Sequence, residues 1–333
     1  MSPPLRDVAL FGAAGYSGLE LAKLLEDHPH FRIACAASDA HAGTPVAALT
    51  GRAHAGDPVF VTTAAARVRA LDCALALLAV PPEGTLAIAP SLRAAGVTVI
   101  DLSHAYRADA SVPYGLTSLA AASVAGAGLV ANPGCYATAV ITAAAPLVAG
   151  GHLADGLLVA NGASGVTGAG RKADEALSLG EMYGEVRAYR VLAHQHTAEI
   201  ERTLAGVAGA GRGSPHVVLT THLLPVARGI LVTLTGQLAA PITSAELLAR
   251  YRALYADDPT VVVQPTPEAV TLRRVVGTPT CHVSVATSDR GAVVAIAALD
   301  NLLKGAASQA IENANLALGL PRMAGLGSLA RHA

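Results

Sequence analysis

The apolar run at residues 8–11 leads straight into Gly12-Ala-Ala-Gly15-Tyr-Ser-Gly18, and a helix-like stretch, residues 18–27, begins where the glycines end. Leu19, Leu21, Leu24 and Leu25 fall near one face of that stretch, and His28-Pro29 stops it. A strand, a glycine turn and a helix in such close succession leave few folds open. Glycines allow a tight turn and close backbone approach, and the helix N-terminus then presents unpaired N–H groups and a positive dipole end to a diphosphate. The pattern predicts a dinucleotide site at Gly12, Gly15 and Gly18; glycines needed only for packing are the plainer alternative.

The alternation continues. Residues 32–37, 73–80, 97–102 and 124–131 read as further strands, each a continuous apolar run separated from the next by Ala/Leu-rich helical sequence. Such strands belong to a parallel sheet covered on both faces, so the first part is expected to be a Rossmann-like, doubly wound α/β domain. After about residue 150 the texture changes. Residues 156–161, 217–221, 229–238, 280–286 and 293–299 are strand candidates with some alternation, and helices are expected at 244–255 and 304–318. That is an α+β domain with a largely antiparallel sheet. The expected division is 1–134 for the dinucleotide domain, joined by a C-terminal helix at 304–333, and 135–303 for catalysis, substrate and oligomerisation. The Gly/Ala-rich stretch 206–214 reads as a surface loop.

Composition narrows the function classes. With 333 residues, 52% of them hydrophobic and 14% charged, the chain suits two buried cores and not a disordered segment. A net charge of −1 without a basic stripe argues against nucleic acid as a partner. No apolar run approaches the roughly 18–20 residues of a membrane span, and no signal-peptide core precedes the first strand, so a cytoplasmic protein is expected. Cys35, Cys73, Cys135 and Cys281 are widely separated with no Cys-x-x-Cys pair, which predicts neither a metal site nor a disulfide framework.

One cysteine stands apart. Asn132-Pro-Gly-Cys135-Tyr-Ala-Thr138 follows a strand and opens a helical run, where the positive dipole end favours a thiolate. A thiolate can displace phosphate from an acyl phosphate, and the thioester that results accepts a hydride. In His194-Gln-His196-Thr197 lies the expected base; at a strand-to-helix junction one of the two is expected to reach Cys135, and His196 is favoured. A helix-capping or surface histidine is the alternative. Ser38-Asp39 closes the second strand. An acidic residue there accepts hydrogen bonds from a ribose 2′-hydroxyl and repels a 2′-phosphate, which favours NAD, unless Asp39 is a solvated loop carboxylate.

Together these motifs resemble the N-acetyl-gamma-glutamyl-phosphate reductase family of arginine biosynthesis. The similarity includes residues 12–18, Val99-Ile-Asp-Leu-Ser103 with Tyr106-Arg107, Tyr114-Gly-Leu116, residues 132–138 and Ser164-Gly-Val-Thr-Gly-Ala-Gly-Arg171. It continues through residues 194–200, His222-Leu-Leu-Pro225 with Arg228-Gly229, Asp300-Asn-Leu-Leu-Lys304-Gly-Ala and Gln309. The resemblance implies reduction of an acyl phosphate to a semialdehyde, with Cys135 as nucleophile and His196 as acid/base. It implies that Gly12, Gly15, Tyr16, Ser17, Gly18, Ser38 and Pro81 hold the cofactor, with Ser164, Gly165 and Asn301 near the nicotinamide. Ser103, Arg107, Asn132, Arg171 and His194 fall on the substrate side; a guanidinium fork at Arg107 or Arg171 suits a phosphate or carboxylate. The cofactor implied is NADP(H), and NAD(H) stays open because Asp39 replaces the family's usual Arg. Val80-Pro-Pro-Glu83, where a His often stands after the first Pro, and Gln195, where Arg is usual, are further departures, bearing on substrate detail. A homo-oligomer, dimer or tetramer, is the family expectation. Rival readings are a sister reductase acting on N-acetyl-aminoadipyl or aspartyl phosphate, and a catalytically silent dinucleotide sensor.

Overall fold

In the first part of the chain, β1 (Arg6–Phe11), β2 (Phe31–Ala37), β3 (Phe60–Val61), β4 (Leu75–Leu78), β5 (Thr98–Asp101) and β6 (Leu129–Ala131) build one sheet. The computed structural model describes residues 4–54, 56–171, 174–209 and 215–327. Among these residues the chain forms two units, Met1–Gly134 with Ala306–His332, and Cys135–Gly305.

The first unit's sheet is parallel throughout, in the order β3-β2-β1-β4-β5-β6. Its apolar strands are buried, as a sheet covered by α1 (Tyr16–Glu26), α2 (Thr63–Arg69), α3 (Pro82–Ala94) and α4 (Thr117–Val124) requires. The strand order reverses between β1 and β4, which places a crevice beyond their C-terminal ends. Two expected strands are shorter than read by four residues or more. Residues 124–131 shrink to β6 because Val124 still belongs to α4, and Gly126, at φ +73°, makes the turn between them. Residues 73–80 shrink to β4, while the two-residue β3 left no periodic signal.

In the second unit, β7 (Leu157–Gly165), β8 (Arg187–Tyr189), β9 (His216–Leu224), β10 (Ile230–Gln237), β11 (Val261–Val263), β12 (Cys281–Thr287) and β13 (Ala292–Leu299) run in the order β11-β12-β13-β10-β7-β9-β8. Four of the six pairings are antiparallel, with β11–β12 and β7–β9 parallel. At the sheet's two edges lie β8 and β11, three residues each and too short to be read from pattern. The longer helices that accompany the sheet are α5 (Cys135–Ala149), α6 (His196–Ala208) and α7 (Ser244–Leu254). Part of the loop expected at 206–214 is helical, since α6 runs to Ala208, and residues 210–214 lie outside those described.

α5 is apolar on every side, with Tyr136 through Val148 buried, and it packs on α6, β10 and β13. Pro146 sits inside it. A proline at that position has no N–H to give the carbonyl of Thr142, four residues back. The Tyr255 hydroxyl takes that place, donating to the Thr142 carbonyl at 2.8 Å, and the Tyr251 hydroxyl donates to the neighbouring carbonyl of Ala143. Both tyrosines are fully buried, so these bonds satisfy groups that water cannot reach.

The expected helix at 304–333 is a π-helical turn, Leu303–Ala307, followed by α8 (Ser308–Ala317). Gly319, at φ +70°, and Pro321 end it, and residues 328–333 lie outside those described. α8 is polar yet buried, so it needs specific partners within the first unit. Thr117 donates to Glu312 at 2.6 Å, Arg322 to Glu312 at 2.8 Å, and Asn313 to Asn132 at 2.8 Å. Asn315 meets His28 at 3.1 Å, and the His28 ring stacks on Phe31 at 4.3 Å. Burial pushes the His28 imidazole down to about 4. Among the described residues no helix is long and apolar enough to cross a membrane.

Two outcomes follow. Tyr255→Phe leaves a buried carbonyl unsatisfied and is expected to cost roughly 1–3 kcal/mol in urea unfolding. His28, with a folded value below its ordinary 6.5, stabilises the fold above pH 6.5, and that contribution is lost as pH falls toward 4. Calorimetry at pH 7 and pH 5 is expected to show a smaller loss in His28→Gln than in wild type, by roughly 1–2 kcal/mol.

Candidate functional site

At the C-terminal end of β1 the glycine turn folds as steric necessity requires. Gly12 is at φ +69°, and a Cβ there would stand 2.1 Å from the Ala79 carbonyl oxygen, just after β4. A Cβ on Gly18 would fall 2.2 Å from the Gly12 carbonyl oxygen. Gly15 closes the turn by donating to Gly12 at 3.0 Å and precedes α1 in extended conformation, with no side chain capping the helix. Tyr16 and Ser17 open α1, so their N–H groups lie in a helix's unpaired first turn, at the reversal of strand order. These residues fit a diphosphate. Pro81 follows β4 and leads into α3.

Ser38 ends β2 by donating to Val61 at 2.9 Å. Asp39 is solvent-exposed, and its carboxylate accepts from the Thr63 N–H at 2.8 Å and the Thr63 hydroxyl at 2.7 Å. Those two bonds hold its carboxyl below the usual carboxylate range.

Beyond β5, Arg107 lies inside the fold. Its Nε donates to the Asn132 carbonyl and an Nη to the Leu102 carbonyl, both at 2.9 Å. A side chain read as an anion fork thus braces the main chain of the Asn132-Pro133-Gly134 turn. Asn132 is itself held: its N–H donates to Asp101, its Nδ2 to Ala306, and its Oδ1 accepts from Asn313. Ser103 accepts from the Ala105 N–H, capping its own turn.

In the second unit Cys135 is the first residue of α5 and is half-buried, whereas Cys35, Cys73 and Cys281 are buried. Burial pushes the Cys281 thiol up to about 12, the environment of an inert cysteine. Gly305, in the π-helical turn, touches the back of Cys135. A Cβ on Gly305 would stand 2.7 Å from Cys135 Cβ and 3.2 Å from its Cα. The neighbouring Tyr136 ring lies on Gly162, where a Cβ would be 2.3 Å from the ring.

His194 and His196 stay together beside that ring. Their centroids are 4.6 Å apart, and they lie 5.4 Å and 6.3 Å from Tyr136. His194 precedes α6, and its Nδ1 accepts from the His196 N–H at 3.2 Å. Burial, reinforced by Arg190, pushes His194 down to about 4, so it is neutral near pH 7. His196 begins α6, with Nε2 3.6 Å from Glu199 Oε1, and both side chains are buried. Arg190 and Leu192 adopt positive φ in the preceding turn, backbone strain next to the histidine pair. Tyr189 donates to the Tyr136 hydroxyl at 3.4 Å, and burial raises both phenols.

Ser164 and Gly165 end β7. The Ser164 hydroxyl donates to the Gly165 carbonyl, and Gly165 approaches the 227–229 turn so closely that a Cβ would meet the Arg228 nitrogen at 2.6 Å. Asn301 accepts from Gly229 at 2.8 Å and donates to Thr167 at 3.0 Å. Arg228 pairs with the buried Asp300 at 3.0 Å. Arg171 is exposed.

The sequence reading gave three of these residues no role of their own. Glu199 carried a signal, a carboxylate three positions after His196 on a helix. Gly305 and Asn313 carried none, since their importance lies in what a distant stretch brings against them. Gly305→Ala is expected to lower the melting temperature, as overpacking costs about 1–3 kcal/mol, and to change the rate at which iodoacetamide labels Cys135. Calorimetry and peptide mass mapping read these two effects.

The chain matches the family model for the semialdehyde dehydrogenase NAD binding domain over residues 7–127 and that for the semialdehyde dehydrogenase dimerisation domain over residues 135–301. It is 35% identical to the N-acetyl-gamma-glutamyl-phosphate reductase of Geobacter sp. (strain M21), over 97% of this chain and 98% of that relative. It is 37% identical to the enzyme of the same name from Symbiobacterium thermophilum, over 96% and 97%. Among solved structures, aspartate semialdehyde dehydrogenase II of Vibrio cholerae shares the fold, with a TM-score of 0.76 at 17% identity, over 95% of this chain and 99% of that one. The chain belongs to the N-acetyl-gamma-glutamyl-phosphate reductases, within the semialdehyde dehydrogenase family.

Proposed function

We propose that this enzyme reduces N-acetyl-gamma-glutamyl phosphate to N-acetyl-glutamate 5-semialdehyde and inorganic phosphate, through a thioester on Cys135, in arginine biosynthesis. The observation that carries the reading is Cys135 at the head of a buried helix, in the same unit as the buried His196–Glu199 pair. The glycine turn Gly12, Gly15 and Gly18, with Tyr16, Ser17, Ser38 and Pro81, binds a nicotinamide dinucleotide, for which the resemblance implies NADP(H). For Ser164, Gly165 and Asn301, in the second unit, the resemblance implies a place near the nicotinamide. The bound dinucleotide supplies the hydride.

The Cys135 thiolate attacks the acyl phosphate carbonyl carbon. N–H groups in the first turn of α5 stabilise the oxyanion, the carbon–oxygen bond to phosphate breaks, and phosphate leaves. Hydride arriving at the thioester carbon would leave a thiohemiacetal oxygen that takes a proton from the His196 imidazolium, formed when the Cys135 thiol ionised; on collapse the carbon–sulfur bond breaks, Cys135 leaves as thiolate and His196 takes that proton back. Glu199 steadies the imidazolium that results. His194 stays neutral, orients the start of α6 and faces substrate. Arg171 meets a substrate anion, while Arg107 and Asn132, with Ser103 in the same unit, hold the turn that leads to the nucleophile. The enzyme works in the cytoplasm as a homo-oligomer, on a small-molecule substrate.

The test is reverse turnover of N-acetyl-glutamate semialdehyde with phosphate. Cys135→Ser is expected to lose about 10³-fold or more, and His196→Asn about 10²–10⁴-fold. A wild type inert on this semialdehyde but active on aspartate semialdehyde would overturn the substrate assignment.

A further inference from the structure

Asp39 stands about twenty residues beyond the glycine turn, at the end of the strand next to β1, where an open doubly wound sheet meets the adenosine ribose. Its carboxylate is not a loose loop charge. The Thr63 N–H and hydroxyl grip both oxygens at 2.8 and 2.7 Å, and Thr63 is the first residue of α2. The same two bonds keep the group ionised. A fixed negative charge therefore stands at the end of β2, with oxygen lone pairs left to accept further hydrogen bonds.

In the turn after β2 the one titratable base is His41. Residues 38–50, which carry the turn after β2, contain no Lys or Arg. The next cation, Arg52, pairs with Asp27 at 3.1 Å, and Arg67 on α2 donates to the Ala87 carbonyl at 2.7 Å. A ribose with two hydroxyls meets an acceptor here. A ribose 2′-phosphate, with its own charge of nearly two, meets a carboxylate of the same sign and no guanidinium in this turn to receive it.

We infer that Asp39 makes this enzyme select the dinucleotide with a free ribose 2′-hydroxyl, NAD(H), over its 2′-phosphorylated form. The inference rests on the dinucleotide reading of the glycine turn and replaces the NADP(H) that the resemblance implies.

Equilibrium titrations of the full-length protein with NADH and NADPH, followed by nicotinamide fluorescence and calorimetry, test it without turnover. Wild type is expected to bind NADH about tenfold or more tightly than NADPH, with the gap narrowing at high salt. Asp39→Asn, which keeps an acceptor for the Thr63 N–H, and Asp39→Ser are expected to bring the two affinities close together. Asp39→Arg is expected to reverse the order. Equal or tighter binding of NADPH by wild type overturns the inference, as does an unchanged ratio in a folded Asp39→Asn. Binding of neither dinucleotide overturns the reading of the glycine turn and this inference with it.

Discussion

A helix apolar on every side has one stable home, inside protein, and α5 imposes that condition on the whole second unit. β10, β13 and α6 have to wall it, which orders the sheet around it. Its own proline then demands an outside donor, and Tyr255 supplies one from beyond α7. Its N-terminal end is only half-buried, and there the chain places Cys135. The placement of Cys135 and core packing are thus one arrangement: the helix that holds the unit together also fixes the residue at its tip.

Close backbone approach does the positioning in both units. Gly12 and Gly18 let the first turn lie against the chain after β4 and against itself. Gly162 receives the Tyr136 ring, and Gly305 receives Cys135. At these places side chains are excluded by atoms 2–3 Å away, most of them main-chain or ring atoms that cannot swing aside. Hydrogen bonds finish what sterics begin, as Arg107 and Asn313 show by fixing both faces of Asn132.

Much of this was legible in the residues, and the gaps have physical reasons. The parallel sheet announced itself because its strands are apolar throughout and regularly spaced by helices. β3, β8 and β11 did not, since two or three residues show no period. The burial of α8 was not legible, since its Asn, Gln and Glu suit a solvated face, yet their partners come from residues 28, 117, 132 and 322. Cys135 and the histidine pair stood out through local context. Whether the guanidinium of Arg107 points outward or inward is a tertiary fact, and so is the hold of Thr63 on Asp39.

The first unit is assembled from two ends of the chain. α8 and the turn after it reach back to His28, where Gly325 fits only because it lacks a side chain: a Cβ would stand 2.1 Å from the imidazole. During synthesis the 171 residues of Cys135–Gly305 emerge as one uninterrupted stretch, ready to form their own core. The first unit's sheet, although made earlier, waits with its α8 face uncovered until the stretch from Ala306 onward has been made. A truncated product ending before residue 306 would therefore carry a finished second unit beside an unfinished first one, a state open to proteolysis and self-association through exposed strands.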